Sequence, residues 1–327
     1  MPTRRQVLQA ATAAATTATL GAPRPGRAAA PLPDTVRIIV VVPPGASMDN
    51  VARLVAERLK PVLNRQVLVD YKPGATGLVA SQYLKTTEPD GGTVMFAPIA
   101  VAAFFPFLYS RLPYDPETDL VPVCDGVHIP HALAVPTAGP RTLAAFLDQA
   151  RADPLRASVG TSSMGSVGAL LMLRLSQLAK VDLQLVAYKG GQPLLTDLMG
   201  NQVPAGVSVI SDYLTQHQAG RVRILAAGSR ERTALAPDIP TLAESGFPDL
   251  YGASSIGFFM RGGTPAPLVQ AMSGAINTVL AAPETRERLL AMGAEPKGGS
   301  AQAFRQLART ERARWEPVAR AANIRIE

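Results

Sequence analysis

The chain of 327 residues carries a single cysteine, Cys124, so it forms no internal disulfide and no cysteine-based metal cluster. It has three histidines, His128, His131 and His217, and of these only His128 and His131 are near neighbours. The one acid close to them in sequence is Asp125, which makes a satisfied structural histidine a better reading than a metal pair. Aromatic residues make up 5% of the chain and no Lys/Arg block stands out, which argues against nucleic acid despite a sequence pI near 9.8. No apolar run is long enough to span a bilayer. The phosphate-cradling Walker A and Gly-x-Gly-x-x-Gly patterns are missing, and so is the Gly-x-Ser-x-Gly elbow of α/β-hydrolases: four residues, not three, separate Gly160 from Gly165.

What is present begins with a leader. Arg4 and Arg5 precede a mild apolar run from Ala10 to Leu20, and Ala28-Ala29-Ala30 offers a small-residue cleavage site. Residues 1–30 read as a signal peptide cleaved near Ala30, of the twin-arginine or the ordinary secretory kind. They hold four arginines and no acid, so cleavage lowers the formal charge from +7 to +3. The expected location is the periplasm.

Strand-like and helix-like runs then alternate. Val36–Val42 is a buried strand by composition, Asn50–Leu63 has helical spacing, and Val67–Asp70 and Thr93–Ala97 are further strands. This is the pattern of a parallel sheet covered on both faces. A second series begins at Ala157–Val159 and continues through a helix over Val167–Leu178 and strands over Leu183–Ala187, Val203–Ile210 and Arg223–Ala227. Pro106 to Pro122 reads as a turn-rich excursion, with an extended run at His131–Val135 after it. The long helix over Ala301–Ala322 has the length to return to the first lobe, and Ile324–Ile326 is a candidate edge strand. About 300 residues after the leader exceed one compact core. The expected organisation is lobe one from 31–133 and 254–327, lobe two from 134–253, and a hinge near 133 and 255.

Two turns of the same design follow strands and precede helices. The first is Pro44-Gly45-Ala46-Ser47-Met48-Asp49; the second is Gly160-Thr161-Ser162-Ser163-Met164-Gly165-Ser166. Each leaves backbone N–H groups free at a helix N-terminus, where an anion is favoured. Taken singly, the first is also the plain turn of a βα unit, with Asp49 placed to cap the helix. As a pair at matching places in two lobes, at the carboxyl ends of strands, they form a candidate cleft. The Gly74-Ala75-Thr76-Gly77 turn is a candidate third wall. The candidate ligand-binding residues are Gly45, Ala46, Ser47, Asp49, Gly77, Thr161, Ser162, Ser163, Gly165 and Ser166. Lys189, in Tyr188-Lys189-Gly190-Gly191, is read as packing its stem and pairing with an acid rather than as a Schiff-base lysine.

These motifs, in this order, resemble the periplasmic substrate-binding receptors of tripartite tricarboxylate transporters, the Bug family. The landmarks are Val42 to Asp49, Lys72-Pro73-Gly74-Ala75-Thr76-Gly77, Pro89-Asp90-Gly91-Gly92-Thr93, Leu112-Pro113-Tyr114-Asp115-Pro116, Tyr188 to Pro193, Asp197-Leu198-Met199-Gly200, Pro240 to Gly246 and Gly263-Thr264-Pro265. The resemblance implies an α/β fold of the type II periplasmic binding protein kind, a two-lobed flytrap in which each lobe is a mixed, mostly parallel sheet flanked by helices. It implies a small organic acid anion as ligand, membrane permease subunits as partners, a monomer, no cofactor and no catalysis. It adds Ser208 to the site, at a position where Asp is common in the family. Ala46, Ala169 and Ser255 stand where Gly, His and Trp are frequent. The readings outside transport are a sensing receptor and an exported hydrolase using Ser162, Ser163 or Ser166; the latter lacks a general base nearby in sequence.

Overall fold

The structure is a computed structural model that describes residues 32–233 and 235–326. The signal-peptide reading of residues 1–30 lies outside the described residues. Among these, no helix is long and apolar enough to cross a membrane.

The first unit opens on β1 (Thr35–Val40), where Val36, Ile38, Ile39 and Val40 are all buried. Arg37 alone in the strand is exposed, and the β-branched residues around it suit a strand covered on both faces. It leads into α1 (Ser47–Leu63), whose Val51, Leu54, Val55 and Leu59 form one buried stripe at helical spacing. Asn64 ends the helix in the left-handed conformation, with φ 51°. β2 (Gln66–Tyr71), a single 3-10 turn over Ala75–Gly77, α2 (Leu78–Leu84) and β3 (Thr93–Pro98) follow. β1 pairs in parallel with both β2 and β3, which aligns the carboxyl ends of all three strands.

The short helices α3 (Ala100–Ala103) and α4 (Phe105–Leu108) precede β4 (Leu120–Pro136), a strand of 17 residues. The sequence reading placed only turns before Pro122 and an extended run at 131–135. Two prolines, Pro122 and Pro130, mask the continuity, because proline donates no ladder hydrogen bond. Pro122 falls at a register shift (Pro122/Cys124), a second shift lies at Asp125/Val127, and Pro130 is the last residue paired with β9.

The rest of the chain supplies α5 (Leu143–Ala152), β5 (Ser158–Thr161), α6 (Val167–Ala179), β6 (Gln184–Ala187), α7 (Gly191–Met199), β7 (Ala205–Val209), α8 (Leu214–Gln218) and β8 (Val222–Ala227). It returns through β9 (Ala253–Arg261), α9 (Ala266–Ala281), α10 (Pro283–Ala291), β10 (Glu295–Pro296) and α11 (Ala301–Ala321). Ile326 forms only an isolated bridge to Tyr109, in place of the edge strand expected at 324–326.

The strand order is β2-β1-β3-β9-β4-β7-β5-β6, with β8 and β10 also on β4. The outer strands of each half are parallel and the central ladders antiparallel. β4 changes partners between two consecutive residues: Leu120 to Pro130 pair with β9, and His131 to Pro136 with β7 and β8. The carboxyl ends of β1 and β3 on one side, and of β5 and β7 on the other, therefore point toward the level of Pro130–His131. Cys124 is a free, buried thiol of the core, and burial pushes its pKa up.

Candidate functional site

At the first turn the backbone leaves β1, passes Gly45 at φ 86°, and enters α1 with Ala46 as N-cap. Asp49 does not cap the helix in the way expected. It is the third residue of α1, and its Oδ2 accepts the N–H of Gly45 at 2.8 Å, one residue before the cap. This is the returning half of a capping box, displaced by one position. Tyr71 Oη donates to Asp49 Oδ1 at 2.8 Å and Arg53 Nε lies 3.0 Å from Oδ2. Burial pushes the Asp49 carboxyl up, but the Gly45 N–H, Arg53 and Tyr71 outweigh it and hold it below the usual carboxylate value. The Gly45 N–H and the Asp49 charge are both satisfied internally, whereas the Ser47 and Met48 N–H groups, at the first two helical positions, have no acceptor among the described residues. Ser47 is exposed and Ala46 half-buried beside it.

The second turn is internally knotted by hydroxyls. Ser166 caps α6, accepting from Ala169 N–H at 3.2 Å while donating to the Ser163 carbonyl at 2.7 Å. Thr161, fully buried, donates to the same carbonyl at 3.1 Å, and Gly165 N–H donates to Ser163 Oγ at 3.3 Å. Gly165 is buried where a side chain would lie 3.4 Å from Ile326 and 3.7 Å from Phe105. Thr161, Gly165 and Ser166 thus shape the turn. Ser162 is the half-buried serine whose hydroxyl the described residues leave unused.

Three turns are adjacent. Gly77, at φ 110°, is buried where a Cβ would sit 2.9 Å from Val101 and 3.5 Å from Val41, so it seats the 74–77 turn beside the end of β1. Thr76, in that turn, reaches the second turn: its Oγ1 is 3.3 Å from Ser163 Oγ. The two halves of the sheet therefore touch through hydroxyl-bearing corners at the carboxyl ends of their strands. Gly190 N–H donates to the Ser162 carbonyl at 3.1 Å and adds the loop after β6 to the group.

Ser208, near the end of β7, is buried and donates to Asp212 Oδ2. Burial raises the pKa of Asp212, partly offset by Ser208. The carboxylate lies against α7, since a Cβ on Gly191 would fall 1.9 Å from Asp212 Oδ2. Sequence reasoning missed Asp212 because no local pattern links 191, 208 and 212. It also missed Arg53 and Tyr71, although Asp49 and Arg53 have the i, i+4 spacing of a helical ion pair. Lys189 is exposed and has no ion-pair partner among the described residues, against the expectation of a paired acid. His128 pairs with Asp125 at 2.6 Å and His131 Nε2 lies 2.8 Å from Ser254 Oγ, so both histidines have local partners.

A family model described as "Tripartite tricarboxylate transporter family receptor" matches residues 51–324. A UPF0065 protein of Bordetella bronchiseptica is 32% identical over 291 residues, spanning 89% of this chain and 86% of that protein. Among solved structures, the R. palustris protein Rpa4515 with adipate has a TM-score of 0.82 at 30% identity, covering 89% of this chain and 98% of its own. MatC from Rhodopseudomonas palustris, with bound malate, has a TM-score of 0.76 at 28% identity, covering 87% and 98%.

Proposed function

The chain belongs to the tripartite tricarboxylate transporter receptor family, and from that premise we propose that it is a periplasmic receptor for a small organic dicarboxylate. The observation that carries the reading is the convergence of three small-residue turns. The Ser47 and Met48 N–H groups at one helix end and the Ser162 hydroxyl in the second turn have no acceptor among the described residues, and Thr76 of the third turn meets Ser163. Donors of this kind suit carboxylate oxygen, and two sets facing each other suit a ligand with a carboxylate at each end. Adipate and malate in the two structural relatives are dicarboxylates, which supports the same class here.

In this reading Gly45 and Asp49 set the first turn, Ala46 and Ser47 face the ligand, Gly77 forms part of the wall, and Ser162 and Ser163 face it from the other half. Thr161, Gly165 and Ser166 hold the second turn in shape, and Ser208 orients Asp212 at its margin. Lobe one is 31–133 with 254–327, lobe two is 134–253, and the hinge lies near 133 and 255. The change of partners by β4 at Pro130–His131 and the start of β9 at Ala253 support that division. Residues 1–30 direct export, permease subunits receive the ligand, and the protein acts as a monomer without catalysis.

Thermal-shift and calorimetric titration with adipate, malate and a panel of aromatic dicarboxylates test the proposal. A ligand at a hundred times its dissociation constant adds about 2.7 kcal/mol of stability. No stabilisation by any of them would remove the dicarboxylate reading.

A further inference from the structure

Asp212 ends the 3-10 turn Ile210–Asp212 that follows β7, and its carboxylate is held from two directions. Ser208 donates to Oδ2 from near the end of β7. Gly191, the first residue of α7, makes room for the group: a Cβ there would meet Oδ2 at 1.9 Å and Oδ1 at 3.2 Å. The carboxylate therefore lies across the start of α7. Only Oδ2 is engaged. Oδ1 accepts no hydrogen bond among the described residues, and it is not sealed from solvent, since Asp212 is half-buried. No lysine or arginine among them stands within ion-pair distance of the carboxylate; Lys189, two residues before Gly191, is exposed and turned elsewhere. Burial pushes the Asp212 pKa up, because it removes water and supplies no cation in exchange.

Ser162 is tied to this pair through both sides of its backbone. Its N–H donates to the Val207 carbonyl at 3.4 Å, one residue before Ser208. Its carbonyl accepts the Gly190 N–H at 3.1 Å, one residue before Gly191. The Ser162 hydroxyl and the free Oδ1 of Asp212 thus belong to one corner, at the carboxyl ends of β5 and β7. The two groups ask for different things. A hydroxyl donates to a carboxylate, whereas an ionised carboxyl accepts from a donor and repels a further anion. A ligand that offers no donor leaves Oδ1 to lose water without a replacement, which costs affinity.

Resting on the dicarboxylate-receptor reading above, we propose that Asp212 is a specificity-determining residue of that site: it accepts a hydrogen bond from a hydroxyl or ammonium group on the ligand's carbon chain, so the receptor selects hydroxy- or amino-substituted dicarboxylates over unsubstituted ones. Ser208 and Gly191 are positioning residues. The first orients the carboxylate and the second leaves it space.

Calorimetric titration of the purified protein with succinate, malate and aspartate tests this. The three share one carbon skeleton and differ in carrying hydrogen, hydroxyl or ammonium at a single carbon. Malate or aspartate binds about tenfold tighter than succinate, or more, and the tighter of the two assigns the donor as hydroxyl or ammonium. Asp212→Asn keeps the shape and the bond to Ser208 but loses the charge, and it shrinks that ratio. Ser208→Ala frees the carboxylate from its orienting bond and lowers the ratio in part. A purely structural role for Asp212 would instead weaken all three acids alike and leave the ratios as in the parent. The inference is overturned, with the dicarboxylate reading left standing, if a dicarboxylate bearing neither group binds as tightly as malate and aspartate do, or if both variants keep the parent's ratios. If no dicarboxylate binds at all, the reading beneath the inference falls with it.

Discussion

Thr76 and Ser163 stand 87 residues apart in the chain, and their hydroxyl oxygens are 3.3 Å apart. Their contact joins the turn after β2 to the turn after β5. A hydrogen bond between hydroxyls is worth about 1 kcal/mol net. Thr76→Val and Ser163→Ala each remove it with little change of shape. In a double-mutant cycle on dicarboxylate affinity, the two changes should be coupled by roughly 0.5–1.5 kcal/mol. Additivity within about 0.3 kcal/mol would mean that the two turns are apart in the bound protein.

Ser47→Ala and Ser162→Ala bear on the donors themselves. Each should weaken dicarboxylate binding by about 1 kcal/mol or somewhat more, since each removes a hydroxyl and leaves the neighbouring N–H groups in place. Ser166→Ala should behave differently. It removes the α6 cap, so it lowers stability by about 1 kcal/mol even without ligand. Denaturant midpoints combined with binding isotherms separate the two effects, and unchanged affinity in both Ser47→Ala and Ser162→Ala would move the site elsewhere.

Gly168 tests the packing under the second turn. Alanine in place of an α-helical glycine ordinarily stabilises by about 0.5–1 kcal/mol. Here a Cβ would lie 2.6 Å from His131 Nδ1 and 3.1 Å from Val207. Overpacking of a rigid core costs typically 1–3 kcal/mol, so the steric effect wins and Gly168→Ala should be net destabilising. A raised thermal midpoint would show that the His131 ring has room to move.

These cases show what was legible in the sequence. β1 and α6 were, because a Val/Ile-rich run and an apolar run at helical spacing after a small-residue turn carry their signal locally. The two turns were legible as turns. Their division of labour was not: that Ser166 caps α6 while the Ser162 hydroxyl has no partner among the described residues follows only from which groups each hydroxyl reaches. β4 was obscured by its prolines, which a bulged, doubly paired strand tolerates. The setting of Asp212 is a product of tertiary folding, since its partners lie on other elements.

Asp49 gives the first pH prediction. Its folded pKa is depressed, so its contribution to stability is complete above the ordinary carboxylate value of 3.8 and is lost as pH falls through the lower folded value. Asp49→Asn keeps the shape but loses the charge-assisted bonds to Arg53 and Gly45. The variant should be less stable by about 1–3 kcal/mol at pH 7, and the gap should close in strong acid. Urea midpoints of both proteins across that range measure it; a gap independent of pH would mean that the charge contributes nothing.

His131 acts in a different window. Its ring is buried under α6, faces Gly168, Ser254 and the backbone of Ser208, and has no charged neighbour among its hydrogen-bond partners. Burial lowers its pKa from 6.5 to about 4, partly offset by the Ser208 backbone. Between those values the unfolded chain binds a proton that the folded protein does not. Stability from this group is therefore full above pH 6.5 and falls as pH drops toward 4, by about 3 kcal/mol across the window. Asp49 is silent there, because its titration lies lower still. His131→Gln removes the titrating group, so its urea midpoint should change much less between pH 7 and pH 4.5 than that of the parent. The comparison rests on the slope with pH, and the cost of repacking the ring shifts both ends of the variant's curve alike. Equal slopes in the two proteins would mean that His131 takes up its proton without unfolding, through access to water that the packing under α6 excludes.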